Sequence, residues 1–190
     1  MKKQTQLVLA VIILIIAVIV FFLVKKSNQK ETQIDPGFTS YITGYTSGTI
    51  SNQSVIRIIL MDAIPDIEEN AEVKKGVLSL SPNIKGIATW VNNRTIEFRP
   101  LEKLKSGEQY SVTFNLGKIK EVPAKFEVFK FDFYVIKQSF SATINGIKPY
   151  IKTNLEKQML TGNVYTADYT DEEEISSLLQ AVQNGKTLPV

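Results

Sequence analysis

Four groupings of side chains in this sequence have the residue types that chemistry uses. Asp168, Asp171, Glu172, Glu173 and Glu174 form the most acidic cluster, and oxygen-rich clusters can hold calcium. Their spacing lacks the alternating ligands and central glycine of an EF-hand loop, whereas acidic residues at a helix start complement the helix dipole. Asp62, Asp66, Glu68 and Glu69 offer the paired carboxylates of glycoside hydrolysis, but they fall in one loop with no cleft implied around them, and they read as solvated charge. Phe129, Phe131, Phe133 and Tyr134 with Lys125, Lys130 and Lys137 have the composition of a base-stacking RNA strand, yet the phenylalanine stripe is more simply the core face of a strand. Trp90 with Lys85, Arg94 and Arg99 is a candidate surface for a peptide or glycan, set against the weight of Trp in sandwich cores. In each case the structural reading outweighs the chemical one. No catalytic, cofactor-binding or metal-binding residue is assigned, no cofactor is expected, and the chain is read as non-enzymatic.

Composition narrows the chemistry further. The chain has no cysteine, which excludes disulfides, thiolate metal sites, a thiol nucleophile and a thioester within it. It has no histidine either, so a Ser-His-Asp triad and imidazole ligands are excluded. The net charge is only +3, and five lysines (Lys2, Lys3, Lys25, Lys26 and Lys30) flank one apolar run, so the remainder is near neutral and carries no nucleic-acid footprint.

That apolar run, LVLAVIILIIAVIVFFLV at 7–24, has eighteen residues without a polar side chain, and sixteen of them are Leu, Ile, Val or Phe. At about 1.5 Å per residue it covers roughly 27 Å, close to the ~30 Å hydrocarbon core of a bilayer. A cleaved export signal needs small residues before its cut; here Phe21-Phe22-Leu23-Val24 and two lysines follow instead, and a lipoprotein signal needs a cysteine. The run therefore reads as an uncleaved transmembrane signal anchor, with membrane lipid as its partner. Lysines on both sides leave its orientation open on charge alone.

The elements that must position any site follow the anchor. Residues 1–6 are a short N-terminus, 25–37 a polar linker ending in Pro-Gly, and 38–122 a series of short β-like runs separated by turn signals at Pro65-Asp66, Ser81-Pro82-Asn83, Asn92-Asn93 and Ser106-Gly107. This predicts a mainly β chain whose first domain is an Ig-like antiparallel β-sandwich. Alternation puts Tyr110, Val112, Phe114 and Leu116 on one face; it also turns Ile96 and Phe98 inward, and Thr95, Glu97 and Arg99 outward. Ala88 and Trp90 share a face, and Asn92-Asn93 suits the positive φ of a tight hairpin. Residues 123–190 read as a partial second β domain. Its first strand changes phase between Val128 and Phe129, which predicts a bulge or a domain crossing there, and Asn145-Gly146 predicts a turn. A helix is expected near 171–184, capped at Thr170, with Ile175, Leu178, Leu179 and Val182 on one face and Gly185 at its end.

Ser81, Pro82, Gly86, Trp90, Arg94, Phe98, Pro100, Leu104, Gly107, Tyr110 and Val112 match the skeleton "SP…G…W…R-x-x-x-F-x-P…L…G…Y…V". That stretch resembles the bacterial Ig-like module near the front of bacterial alpha-2-macroglobulin family proteins, and LTGNVYTADYTDEEEISSLLQAVQNGK at 160–186 resembles the segment that follows it in that family. The resemblance covers 38–190 and implies the opening part of a large multidomain protein that traps proteases in the periplasm. It further implies a single-pass anchor in inner-membrane lipid, periplasmic β domains and a cytoplasmic Lys2-Lys3 end. Contact with proteases would fall to downstream domains, and some members carry a Cys-Gly-Glu-Gln thioester there. The alternative is an anchored Ig-like adhesion or cell-envelope binding module.

Overall fold

The structure, a computed structural model, describes residues 32–152 and 154–188, and the expected anchor at 7–24 lies outside them. Among the described residues no helix is long and apolar enough to cross a membrane.

The chain enters through a 3-10 turn, Pro36–Ser40, opened by Asp35, whose Oδ1 accepts the Gly37 N–H at 2.8 Å. Eight strands then build two four-stranded sheets: β1 (Ile42–Tyr45), β2 (Gly48–Ile50), β3 (Ile56–Leu60), β4 (Leu78–Ser81), β5 (Gly86–Asn92), β6 (Thr95–Pro100), β7 (Gln109–Asn115) and β8 (Val128–Val135). The first sheet has the order β1-β3-β6-β5 and the second β2-β8-β7-β4. Their inner faces share one apolar core, to which β3 contributes Ile56, Ile58 and Leu60, β6 Ile96 and Phe98, β7 Tyr110, Val112 and Phe114, and β8 Phe129, Phe131 and Phe133. Strict alternation of these side chains with polar ones is what lets each strand cover the core and face water at once. Burying each large apolar side chain contributes about 1.5–3 kcal/mol.

Four expectations about this region need correction. The sandwich is not wholly antiparallel, because β2 runs parallel to β8: the chain crosses from the first sheet to the second after Tyr45 and arrives beside β8 in the same direction. The sandwich also continues past the boundary expected at residue 123, since β8 pairs with β7 over seven positions without a register shift. The phase change at Val128 and Phe129 is therefore neither a bulge nor a domain crossing. Phe126 lies in a 3-10 turn, Ala124–Phe126, that reaches the core before the strand begins. At the β5–β6 turn no asparagine takes a positive φ; a register shift between Trp90 and Asn92 absorbs the bend, and Asn92 Oδ1 accepts the Arg94 N–H at 2.9 Å.

Beyond the sandwich stand two smaller sheets. β9 (Phe140–Ile151) and β10 (Asn154–Thr166) form a two-stranded antiparallel ribbon, about 40 Å long at about 3.3 Å per residue. The turn expected at Asn145-Gly146 is instead a bulge in mid-strand, where Ile144 pairs Gly162 and Gly146 pairs Thr161, with Gly146 at φ 142°. The extra residue keeps Ile147 on the face of Phe140 and Ile144, and Leu160 and Val164 join them from β10. A short helix, α1 (Glu172–Leu178), follows, and its N-cap is Asp171 in a capping box with Glu174, one residue later than expected. It ends well before residue 184. Ala181–Gln183 and Lys186–Leu188 pair as β11 and β12 around Asn184 (φ 51°) and Gly185 (φ 76°), so the glycine closes a hairpin rather than a helix.

Candidate functional site

The most connected polar cluster lies where the ribbon meets the sandwich. Asp168 follows β10 and is 7% exposed. Its Oδ1 accepts the Ser51 hydroxyl at 2.5 Å and the Tyr169 N–H at 2.7 Å, and its Oδ2 accepts the Asn52 N–H at 2.7 Å. Ser51 and Asn52 occupy the loop between β2 and β3, and the Leu104 N–H donates to the Asn52 carbonyl at 2.8 Å, tying that loop to the sandwich. Gln138, on the segment leaving β8, accepts the Asp168 N–H through Oε1 at 3.0 Å and donates through Nε2 to the Asp168 carbonyl at 3.1 Å and to the Thr170 hydroxyl. Asn52 Nδ2 donates to the Tyr169 carbonyl at 3.2 Å.

At the rim, Lys103 Nζ donates to Asp171 Oδ2 at 2.5 Å and to Glu174 Oε2 at 3.2 Å, and lies 5.8 Å from the Tyr169 ring centre. The electrostatics follow the contacts. Burial pushes the Asp168 carboxyl up, but the Ser51 hydroxyl and the Asn52 and Tyr169 amides together outweigh it and hold the pKa below its ordinary value. Hydrogen bonds from Lys103 and Tyr169 lower Asp171, and Asp171 in turn raises both Lys103 and the Tyr169 hydroxyl. Asp168 spends its oxygens on donors of the chain itself, an arrangement that holds segments together.

The acidic cluster of the sequence thus divides. Asp168 is central, Asp171 and Glu174 meet Lys103, and Glu172 and Glu173 are exposed in the first turn of α1. Among the described residues no group of three or more acidic side chains is placed to hold a metal ion. Of the second carboxylate set, Asp62 pairs with Lys120 at 2.9 Å, and the hydrogen bond with that lysine lowers its pKa. Asp66 and Glu68 rim an open groove of about 660 Å³, floored by Ile64, Val73 and Trp90 and lined also by Lys118 and Lys120. Glu69 is exposed and does not join them.

Phe129, Phe131 and Phe133 are buried in the core, Tyr134 is half-buried, Lys130 and Lys137 are exposed, and Lys125 is exposed with its Nζ 4.4 Å from the centre of the Phe126 ring. Trp90 is 4% exposed, and the basic residues expected beside it go elsewhere: Arg94 Nε donates to the Leu60 carbonyl, Arg99 pairs with Glu97, and Lys85 is exposed. Glu97 corrects the simple alternation of its strand, being 6% exposed and held between Arg57 Nε at 2.8 Å and Arg99 Nη2 at 2.7 Å. The basic residue two places on in its own strand was a local signal for that pair. Ser51, Asn52, Lys103 and Gln138 had none, because Asp168 meets Ser51 across 117 positions of chain.

The ribbon contrasts with this cluster. Phe140, Ile144, Ile147 and Leu160 are 57–73% exposed on its apolar face, and among the described residues only the base of that face is covered, where Ile175, Leu178 and Leu179 of the α1 region approach Phe140 and Val164.

No family model and no curated protein matches the chain. Among solved structures, L,D-transpeptidase 3 from Mycobacterium tuberculosis in complex with a faropenem-derived adduct is similar at 8% identity, over 52% of this chain and 39% of that one, with a TM-score of 0.35. The same enzyme at 1.32 Å resolution matches at 9% identity, over 50% and 37%, with a TM-score of 0.34. The chain spans less than two fifths of the length of these enzymes, and likenesses this distant carry no argument about fold or chemistry.

Proposed function

We propose that this chain is the membrane-anchored front portion of a bacterial alpha-2-macroglobulin-like protease-trapping protein, a tether and spacer facing the periplasm with no catalysis of its own. The family name rests on the sequence skeleton from Ser81 to Val112 and on the segment at 160–186. The observation that carries the spacer reading is the ribbon. A closed sandwich holds out a two-stranded element whose apolar face is 57–73% exposed at four large side chains, and such an element is built to be packed by further β structure. In this reading the apolar run at 7–24 anchors the protein in the inner membrane and the β domains serve as its spacer. Reading the coding DNA past Val190 tests it: a long series of further β domains is expected, and a natural stop codon there would overturn it. An alkaline phosphatase fusion after Gly37 should be active, and an inactive fusion would count against the periplasmic orientation.

The groove beside Trp90 favours a second reading, an anchored binding module, because it combines an apolar floor with charged residues of both signs at its rim. Chemical-shift changes confined to the groove on titration with periplasmic peptides or glycans would support that reading over the spacer.

A further inference from the structure

Among the described residues the apolar core ends at Val135, and none after it belongs to the core. The ribbon and α1 are therefore not held to the sandwich by apolar packing. Among the described residues the attachment consists of the segment after Val135, where the Gln138 N–H donates to Ser106 Oγ at 2.7 Å, and of the polar cluster at 167–171. The chain passes this point twice. It leaves the sandwich at residues 136–139 and returns at 167–171, and the two passages are tied by the Ala167 N–H to the Ser139 carbonyl at 2.9 Å and by Gln138 bridging both sides of Asp168. A third segment, the loop at 51–52, is clamped onto them by the Asp168 carboxylate.

A joint of this composition behaves differently from a packed one. Apolar contact is non-directional and tolerates sliding, whereas a buried carboxylate with three short donors fixes direction and leaves costly unpaired groups when opened. We propose that Asp168 is the pin of a rigid elbow: its carboxylate locks the ribbon and α1 at one angle to the sandwich, and without it the ribbon swings about residues 136–139. Lys103, with Asp171 and Glu174, closes the solvent side of the same elbow but does not set its angle, because exposed ion pairs are worth little. The elbow stands whatever protein the chain belongs to, and does not depend on the macroglobulin reading.

The absence of cysteine makes the test direct. Spin labels at Lys130→Cys and Thr143→Cys, on the full chain in detergent micelles, report the distance across the elbow. Labels at Lys130→Cys and Val91→Cys report a distance within the sandwich. In the parent both distributions should be narrow. Asp168→Asn should broaden the first about two-fold or more and leave the second unchanged, and amide exchange at Asn52 and Tyr169 should accelerate by about ten-fold or more. Ser51→Ala, which removes one donor and keeps the charge, should fall between the parent and Asp168→Asn. Three outcomes would overturn the proposal: a distribution across the elbow that stays narrow in Asp168→Asn; broadening of both distances, which would make Asp168 a residue of general stability; and equal broadening by Lys103→Ala, which would place the lock on the surface.

Discussion

β8 and the ribbon use the same sequence device and end in opposite environments. In VFKFDFYV every second residue is apolar, and Phe129, Phe131 and Phe133 are at most 1% exposed. Along β9 and β10 the apolar residues also fall on one face, with a bulge placed to keep them there, yet Phe140, Ile144 and Ile147 are 64–73% exposed. The backbone periodicity is equally good in both. What differs is the second layer: β8 faces β3 and β6 across a core, while among the described residues the ribbon faces only α1 at its base. Alternation assigns a side chain to a face, but an opposing sheet is what removes that face from water. The two regions are also joined differently from the way each is held internally, by a buried carboxylate where the sandwich uses packed phenylalanines.

The sharpest way to break this contrast is to remove an aromatic from the sandwich core. Phe131→Ala should cost about 3–5 kcal/mol in urea unfolding, because it removes a fully buried ring and leaves a cavity. A loss below about 1 kcal/mol would mean that the sandwich is not the stable half. Glu97→Ala should cost less, about 1–2 kcal/mol, since Arg57 and Arg99 are largely exposed and regain water when their partner is removed. The same measurement in high salt should shrink that difference.

Acid should separate the joint from the core. Asp168 has a folded pKa below its ordinary value, so its contribution is complete above the ordinary carboxylate range and is lost as pH falls through the lowered folded value. Asp171 behaves with the same sign. Amide exchange at Asn52 and Tyr169 should therefore rise in strong acid, relative to the intrinsic rate, before Trp90 fluorescence reports any change in the sandwich. Simultaneous loss of both signals would show a single cooperative unit. The smallest effect is expected for Ile144→Thr, within about 0.5 kcal/mol in the same unfolding experiment, because that side chain is 73% exposed. A loss comparable with Phe131→Ala would reveal a covering layer over the ribbon.

Much of the sandwich is legible in the sequence. The inward set of β7, the phenylalanine stripe and the burial of Trp90 all follow from period-2 alternation and side-chain size. Boundaries were harder to read. The strand β8 looked like the opening of a second domain because Phe126 breaks its phase, and only the 3-10 turn before it explains why. The helix was overextended because Val182 continues a helical spacing by coincidence while Asn184-Gly185 closes a hairpin. Asn145-Gly146 has the composition of a turn and serves as a bulge, since the opposing strand was too far along the chain to enter a local reading.

By itself, the sequence determined which faces are apolar, where most turns fall, and that histidine and cysteine chemistry is excluded from these residues. Tertiary structure alone decided that β2 lies parallel beside β8, that one apolar face is covered and another left open, and that one carboxylate of an acidic run is buried while its neighbours stay in solvent. The physical reason is distance along the chain. Alternation and turn propensity act between residues a few positions apart, whereas the donors that keep Asp168 charged inside the protein come from Ser51 and Asn52, which only the completed sandwich brings within hydrogen-bond reach.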